Sequence, residues 1–323
     1  MNVFVTGGAG YIGSICVEEL ANAGHSVTVY DNLSEGHRSA VDSRSVFAEG
    51  CLSDRPRLLE SLKGSRAEVV MHFAANALVS ESMVKPGKYF RNNVASGLNL
   101  LDAAVEAGVK KIVFSSTCAT YGLPDRVPMT EDLPQRPINP YGESKLMFEK
   151  MLHWYRQIHG LEFVALRYFN AAGASERFGE QHRIETHLIP NVFKVVLGQS
   201  SECEIYGTDY PTPDGTCVRD YIHIVDLAQA HILAMAPGKQ GFYNLGNGEG
   251  YSVREVVKAC EKVAGQPIKT TGKPRRPGDP PRLVASAEKA MNELGWKPKF
   301  PTLEEIVTSA WRWHKKHPHG YLD

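Results

Sequence analysis

The 323-residue chain has no apolar run approaching the ~20 residues of a bilayer span, so no membrane helix is expected. It has no net charge: 36 Lys and Arg balance 36 Asp and Glu. That excludes the basic excess of a dedicated nucleic-acid binder, though not a local basic pocket for one small anion. The six cysteines (Cys16, Cys51, Cys118, Cys203, Cys217, Cys260) are scattered and form no Cys-x-x-Cys pair. A zinc cluster or disulfide framework is therefore not expected, no metal ligand set is read, and reduced thiols fit a cytoplasmic protein. The start, MNVFVTGG, lacks the basic segment and long apolar stretch of a signal peptide and reads as a buried strand. There is no internal repeat and no low-complexity tract.

What is present is alternation. Short β-branched runs at 2–6, 26–30, 68–73, 110–115 and 162–168 read as strands, with helical periodicity at 11–23, 89–107 and 141–159. Strands buried on both faces and separated by helices predict an α/β fold, a doubly wound parallel sheet of Rossmann type. After about Gly173 the pattern changes. Residues 174–222 are polar with few clean periods; helices follow at 225–235, 253–264, 285–294 and 303–314, with a strand at 242–245. The expectation is a dinucleotide-binding domain over 1–173, to which some later segments return, and a smaller mixed α/β substrate lobe over 174–323.

Gly7, Gly10 and Gly13 follow the first strand and open the first helix with Gly-x-x-Gly-x-x-Gly spacing. Glycine there permits a tight turn, close backbone approach to a pyrophosphate and helix–strand packing, with phosphates on free N–H groups. Asp31, eighteen residues past Gly13, ends the second strand. A carboxylate there bonds ribose hydroxyls and repels a 2′-phosphate, which favours NAD over NADP; its alternative is a plain turn residue before Asn32. Tyr141 and Lys145 lie four apart on one helical face. An ammonium near a tyrosine, together with the positive nicotinamide ring of NAD⁺, lowers a phenol pKa that is otherwise near 10, and makes it a usable base. That spacing is common on helices; it gains force from Ser115-Ser116-Thr117 at the end of a central strand, where open α/β sheets bind ligands.

These motifs, with RYFNAAGA, DGTCVRDYIHIVDLA, RRPGD and HPHGY further on, resemble the extended short-chain dehydrogenase/reductase superfamily, and within it the enzymes that invert C4 of UDP-sugars. The resemblance spans nearly the whole chain. It implies UDP-galactose/UDP-glucose interconversion through transient NAD-dependent oxidation at C4, rotation of the 4-keto sugar and re-reduction. It implies Tyr141 as base, Lys145 as its tuning and NAD-holding partner, and Thr117 as a bond to the same sugar oxygen. NAD would be surrounded by Gly7, Gly10, Tyr11, Ile12, Gly13, Asp31, Asn32, Leu52, Phe73, Ala74, Ala75, Asn92, Ser115 and Phe169, with Tyr141 and Lys145. Asn170, Leu188, Tyr206, Arg219, Arg276 and Asp279 would hold the UDP-sugar, and His187, where some relatives carry an asparagine, either bonds it too or is structural. Arg219 and Arg276 each present a planar fork suited to a diphosphate, and Tyr206 an aromatic face for uracil. A homodimer through helices 92–107 and 141–159 is also implied.

The chain departs from the family at Cys51, where an aspartate is usual near adenine, at Ala77 and at Ile15, which bear on NAD affinity. Leu283 stands at the position that gates N-acetyl hexosamines, and acceptance of UDP-GlcNAc/UDP-GalNAc stays open. So do UDP-glucuronate or UDP-xylose as substrates, and a non-catalytic dinucleotide sensor. Cys118-Ala119 after Thr117 removes the acid that a 4,6-dehydratase needs.

Overall fold

The computed structural model describes residues 1–276 and 279–323. Its centre is a seven-stranded sheet whose paired neighbours all run parallel. Six strands come from the first half: β1 (Asn2–Thr6), β2 (Ser26–Asp31), β3 (Val46–Glu49), β4 (Val69–His72), β5 (Lys111–Thr117) and β6 (Glu162–Tyr168). The seventh, Gly241–Leu245, returns from the second half to pair with β6, so the order is Gly241–Leu245, β6, β5, β4, β1, β2, β3. Strand order reverses between β1 and β4, which opens a crevice at the C-terminal edge, the usual ligand position in such sheets.

The period of two along each strand builds two cores, one per face. Val3, Val5, Val29, Met71, Val113 and Val164 face Ile15 and Leu20 of the Tyr11–Asn22 helix and Leu227 of the Ile224–Ala234 helix. Phe4, Tyr30, Val70, Ile112, Phe114 and Phe163 face Leu58, Leu62, Leu101, Phe148 and Leu152 on the opposite side. Each such side chain contributes about 1.5–3 kcal/mol on burial. A third core lies between the helices Leu188–Val196, Val253–Ala264 and Leu303–Lys316, around Phe193, Val256 and Ile306. Among the described residues no helix is long and apolar enough to cross a membrane.

The strands 2–6 and 162–168 and the helix 253–264 fall where the pattern places them. Other expectations need correction. The helix expected over 89–107 runs unbroken but starts earlier and changes its winding: Pro86–Tyr89 leads into a π-helical turn, Phe90–Ala95, and on into Ser96–Ala107. Inside that turn the Asn93 amide donates to the Asn76 carbonyl (3.0 Å) and to Ser144 Oγ (2.9 Å), and its oxygen accepts from Asn76 N–H (2.9 Å). The bulge therefore ties the loop after β4 to the helix bearing Tyr141; such bulges recur at functional sites. Helix 285–294 begins later than expected. The backbone flanking Ala285 is held by Met129, whose N–H donates to the Val284 carbonyl and whose carbonyl accepts from Ser286 N–H, both at 2.7 Å. The polar stretch 174–222 holds the Leu188–Val196 helix and short strands, among them Cys203–Tyr206 and Val218–Arg219.

Candidate active site

The glycine turn fits a pyrophosphate for reasons that differ residue by residue. Gly7 has φ +73°, and a Cβ there would stand 2.5 Å from Ala74 N. At Gly13 a Cβ would stand 2.1 Å from the Gly7 carbonyl oxygen. These two are required by the protein's own packing. Gly10 is not: its φ of −81° suits any residue, and a Cβ would meet only the Gly7 oxygen at 3.5 Å. The space beside Gly10 is free of protein, and no side chain caps the helix it opens. Free N–H groups facing free space are what a phosphate needs. Asp31, 8% exposed, accepts from Ala9 N–H (3.0 Å) and Leu33 N–H (2.8 Å). Burial raises its pKa, and these hydrogen bonds oppose the rise.

The other residues expected around NAD follow from strand ends. Phe73 and Ala74 continue β4, their N–H groups bonding the Thr6 carbonyl, and Ser115 lies near the end of β5; Phe169 follows β6. Tyr11 is buried, its hydroxyl donating to the Gly173 carbonyl at 2.7 Å. Asn32 Oδ1 accepts from Ser34 N–H and Oγ, Asn92 donates to Asn93 Oδ1, and Leu52 is buried with its carbonyl bonded by Asn99. Ile12 and Ala75 are half-buried. Of the departures, Ile15 is fully buried in the core and Ala77 is exposed; Cys51 Sγ takes a hydrogen bond from Ser53 Oγ.

Thr117 is the last residue of β5, and Tyr141 stands in the first turn of the Pro140–His159 helix, capped by Asn139 Oδ1 on Gly142 N–H. Lys145 Nζ donates to the Ser115 carbonyl at 2.7 Å and lies 6.0 Å from the Tyr141 ring centre. Burial pushes the Tyr141 phenol up to about 12, the Thr117 hydroxyl pulls it back, and Cys118 adds to the rise. Burial pushes Lys145 down to about 7, opposed by Glu149. Burial thus opposes the phenolate, and the expected counterweight is two positive charges together, the Lys145 ammonium and the nicotinamide ring of bound NAD⁺.

In the second lobe Arg219, nearly buried, donates to Asp279 and to the Val218 carbonyl. The Arg276 guanidinium lies 4.2 Å over the Tyr206 ring, the face expected to meet uracil. Leu283 pairs in register with Arg219, and Asn170 N–H bonds the Asp220 carbonyl. His187 is the N-cap position of the Leu188–Val196 helix, and Leu188 opens it.

Two constellations escape the sequence reading. Glu149 and Arg167 form a fully buried ion pair behind Thr117. Glu180, His182, Glu185 and His187 converge, with ligand atoms within 4.8 Å of one another. Their charges already answer one another: His187 Nδ1 lies 3.1 Å from Glu180 and 2.9 Å from Glu185, and His182 Nε2 3.2 Å from Glu180. The Glu-x-His, Glu-x-His alternation was the readable signal. A cavity of about 300 Å³ is lined by Glu180, His182 and Glu185 of this cluster with His317–Gly320, and one of about 410 Å³ lies along the C-terminal segment beside Arg177 and Phe178.

A dinucleotide turn, a Thr/Tyr/Lys group on one sheet edge and two arginines, Arg219 and Arg276, in the second lobe define an NAD-dependent sugar-nucleotide enzyme of this fold. The chain belongs to the NAD dependent epimerase/dehydratase family, whose pattern matches residues 3–246. It is 52% identical to the UDP-glucose 4-epimerase of Halalkalibacterium halodurans, covering 99% of this chain and 98% of that one. It is 50% identical to the UDP-glucose 4-epimerase of Lacticaseibacillus casei, over 100% and 99%. A crystal structure of the Bifidobacterium longum UDP-glucose 4-epimerase in complex with NAD⁺ and UDP superposes with a TM-score of 0.95 at 41% identity, covering 99% of this chain and 100% of that one.

Proposed function

We propose that the chain is an NAD-dependent UDP-glucose 4-epimerase that interconverts UDP-galactose and UDP-glucose. The observation that carries this is the convergence of Thr117, Tyr141 and Lys145 on the sheet edge that also presents the Gly7–Gly13 turn. NAD⁺, when bound, supplies the electron acceptor for sugar C4 and a positive charge. Gly7, Gly10 and Gly13 hold its pyrophosphate and Asp31 its adenine ribose. Tyr141 Oη takes the proton of the sugar 4-hydroxyl and later returns it; Thr117 Oγ1 bonds the same oxygen, and Lys145 steadies the phenolate. Arg219, Arg276, Asp279 and Tyr206, with Asn170, His187 and Leu188, hold the UDP half. That grip leaves the sugar free to turn over between the two proton transfers.

Residues 1–173 with the returning strand form the NAD domain, and the third core belongs to the substrate lobe. Leu98, Met147, Trp154 and Ile158 are 41%, 37%, 60% and 69% exposed on helices Ser96–Ala107 and Pro140–His159, which favours a homodimer through those helices. The thiol pattern favours the cytoplasm. Tyr141→Phe tests the assignment: UDP-galactose turnover falls by about 10²–10⁴-fold, the worth of a positioned acid–base, while NAD is retained. Turnover near the wild-type rate refutes it.

A further inference from the structure

The helix that carries Tyr141 and Lys145 and the strand that carries Thr117 must be held in register for one sugar oxygen to reach both hydroxyls. One carboxylate makes that connection. Glu149 lies one turn past Lys145, is 2% exposed, and accepts four hydrogen bonds from three different segments. Ser116 Oγ, the neighbour of Thr117 on β5, donates to Oε1 at 2.6 Å. Arg167 of β6 donates Nε to Oε1 at 2.9 Å and its terminal nitrogen to Oε2 at 2.7 Å. Gln135, from the loop between Thr117 and Tyr141, donates to Oε2 at 2.9 Å. Arg167 also donates to Tyr121 Oη (2.9 Å), which donates to Asn244 Oδ1 (2.7 Å) on the neighbouring strand.

An apolar contact would fill this space without the desolvation cost that a buried ion pair carries. A charged pair here offers direction and a field. Each oxygen of the carboxylate is committed, so the helix cannot slide on the strand without leaving a buried donor unpaired. The field acts on Lys145: burial disfavours its ammonium and Glu149 favours it. The groups facing Lys145 are Tyr141 and Glu149 on its own helix, His72 on β4 and Arg167 on β6 behind Glu149.

We propose that Glu149, paired with Arg167, is a positioning residue for catalysis, which fixes Thr117 against Tyr141 through Ser116 and places a negative charge one turn from Lys145. This rests on the catalytic reading of Tyr141, Thr117 and Lys145 given above. Both oxygens of the carboxylate are taken up by Ser116, Gln135 and Arg167, so its action is indirect.

Three variants test it, with Tyr141→Phe assayed alongside. Ser116→Ala cuts only the tie to the strand and leaves the ion pair. It should lower kcat by about tenfold to a hundredfold, the order lost on a sub-ångström to 1 Å misplacement, with KM for UDP-galactose and the pH profile unchanged. Glu149→Gln removes the negative charge and exposes Lys145 to Arg167, so the alkaline limb of the kcat profile moves to lower pH. Arg167→Met frees the Glu149 charge and moves that limb to higher pH. Shifts of opposite sign are a signature that general loosening of the core does not give. Wild-type kcat in Ser116→Ala overturns the proposal, even if the charge variants fail to fold. So do limbs that move the same way or not at all in the other two. If Tyr141→Phe is itself fully active, it is the catalytic reading that has failed.

Discussion

Gly10 and Gly13 sit three residues apart in one turn, and adding one methyl group to each should break different things. At Gly13 the new Cβ would lie 2.1 Å from the Gly7 oxygen and 2.8 Å from Gly8 Cα. Both obstacles are backbone, so the helix must move off the strand by about an ångström before contact is tolerable. Overpacking of this kind costs about 1–3 kcal/mol, and a rigid obstacle puts it at the upper end. At about 2 °C per kcal/mol for a large domain, Gly13→Ala should lower the melting temperature by roughly 6 °C. At Gly10 the Cβ finds only an ordinary 3.5 Å contact, and φ of −81° is open to alanine. The cost to folding is at most that of alanine at an N-cap, under about 1 kcal/mol. Yet the methyl occupies the space a pyrophosphate needs, and NAD affinity should fall at least tenfold, about 1.4 kcal/mol. Thermal melting of nucleotide-stripped protein, with NAD titration of the same samples, separates the two effects. Wild-type NAD affinity in Gly10→Ala, or wild-type melting in Gly13→Ala, would refute the division of labour drawn here.

Other consequences are independent of that turn. Asp31→Asn keeps the outline of the side chain, gives up one of the two acceptors that Ala9 N–H and Leu33 N–H use, and removes the charge that repels a 2′-phosphate, worth about 1–4 kcal/mol across 4 Å; competition titration should show NADP discrimination fall, and an unchanged NAD/NADP ratio counts against the assignment. Trp154→Glu on the exposed face of the Pro140–His159 helix should yield monomer by light scattering at a concentration where the wild type is dimeric. His187, flanked by Glu180 and Glu185, has its pKa raised to about 9; burial alone would lower it, and the two carboxylates outweigh that effect. A raised folded pKa stabilises below the unfolded value of 6.5 and loses that stabilisation as pH rises through about 9. Melting temperature should therefore drop across that window in the wild type and much less in His187→Gln; parallel curves would show that the imidazolium adds nothing.

What the sequence made legible follows from how locally each feature is encoded. The Val253–Ala264 helix was readable because Ser252 and Glu255 form a reciprocal capping box and its apolar face repeats cleanly. β1 and β6 were readable as buried runs with apolar centres, Val3–Val5 and Phe163–Leu166. The Val46–Glu49 strand and the Arg55–Ser65 helix were not, because the strand is half exposed at the sheet edge and only Leu58 and Leu62 of the helix are buried. Periodicity also hid the π turn at Phe90–Ala95, which exists because Asn93 reaches a partner 51 residues away. The same divide runs through the site. Gly7 and Gly13, like Tyr141 and Lys145, stand within a turn or two of each other in the chain, and spacing betrays them. Arg219 and Asp279 are 60 residues apart, and Glu149 and Arg167 lie on different elements, so only the folded chain joins them. Residues that contact reacting atoms are thus announced by short motifs, whereas the charge pairs that orient those residues are assembled by topology. That asymmetry is why Glu149 was passed over while Lys145, one turn before it on the same helix, was not.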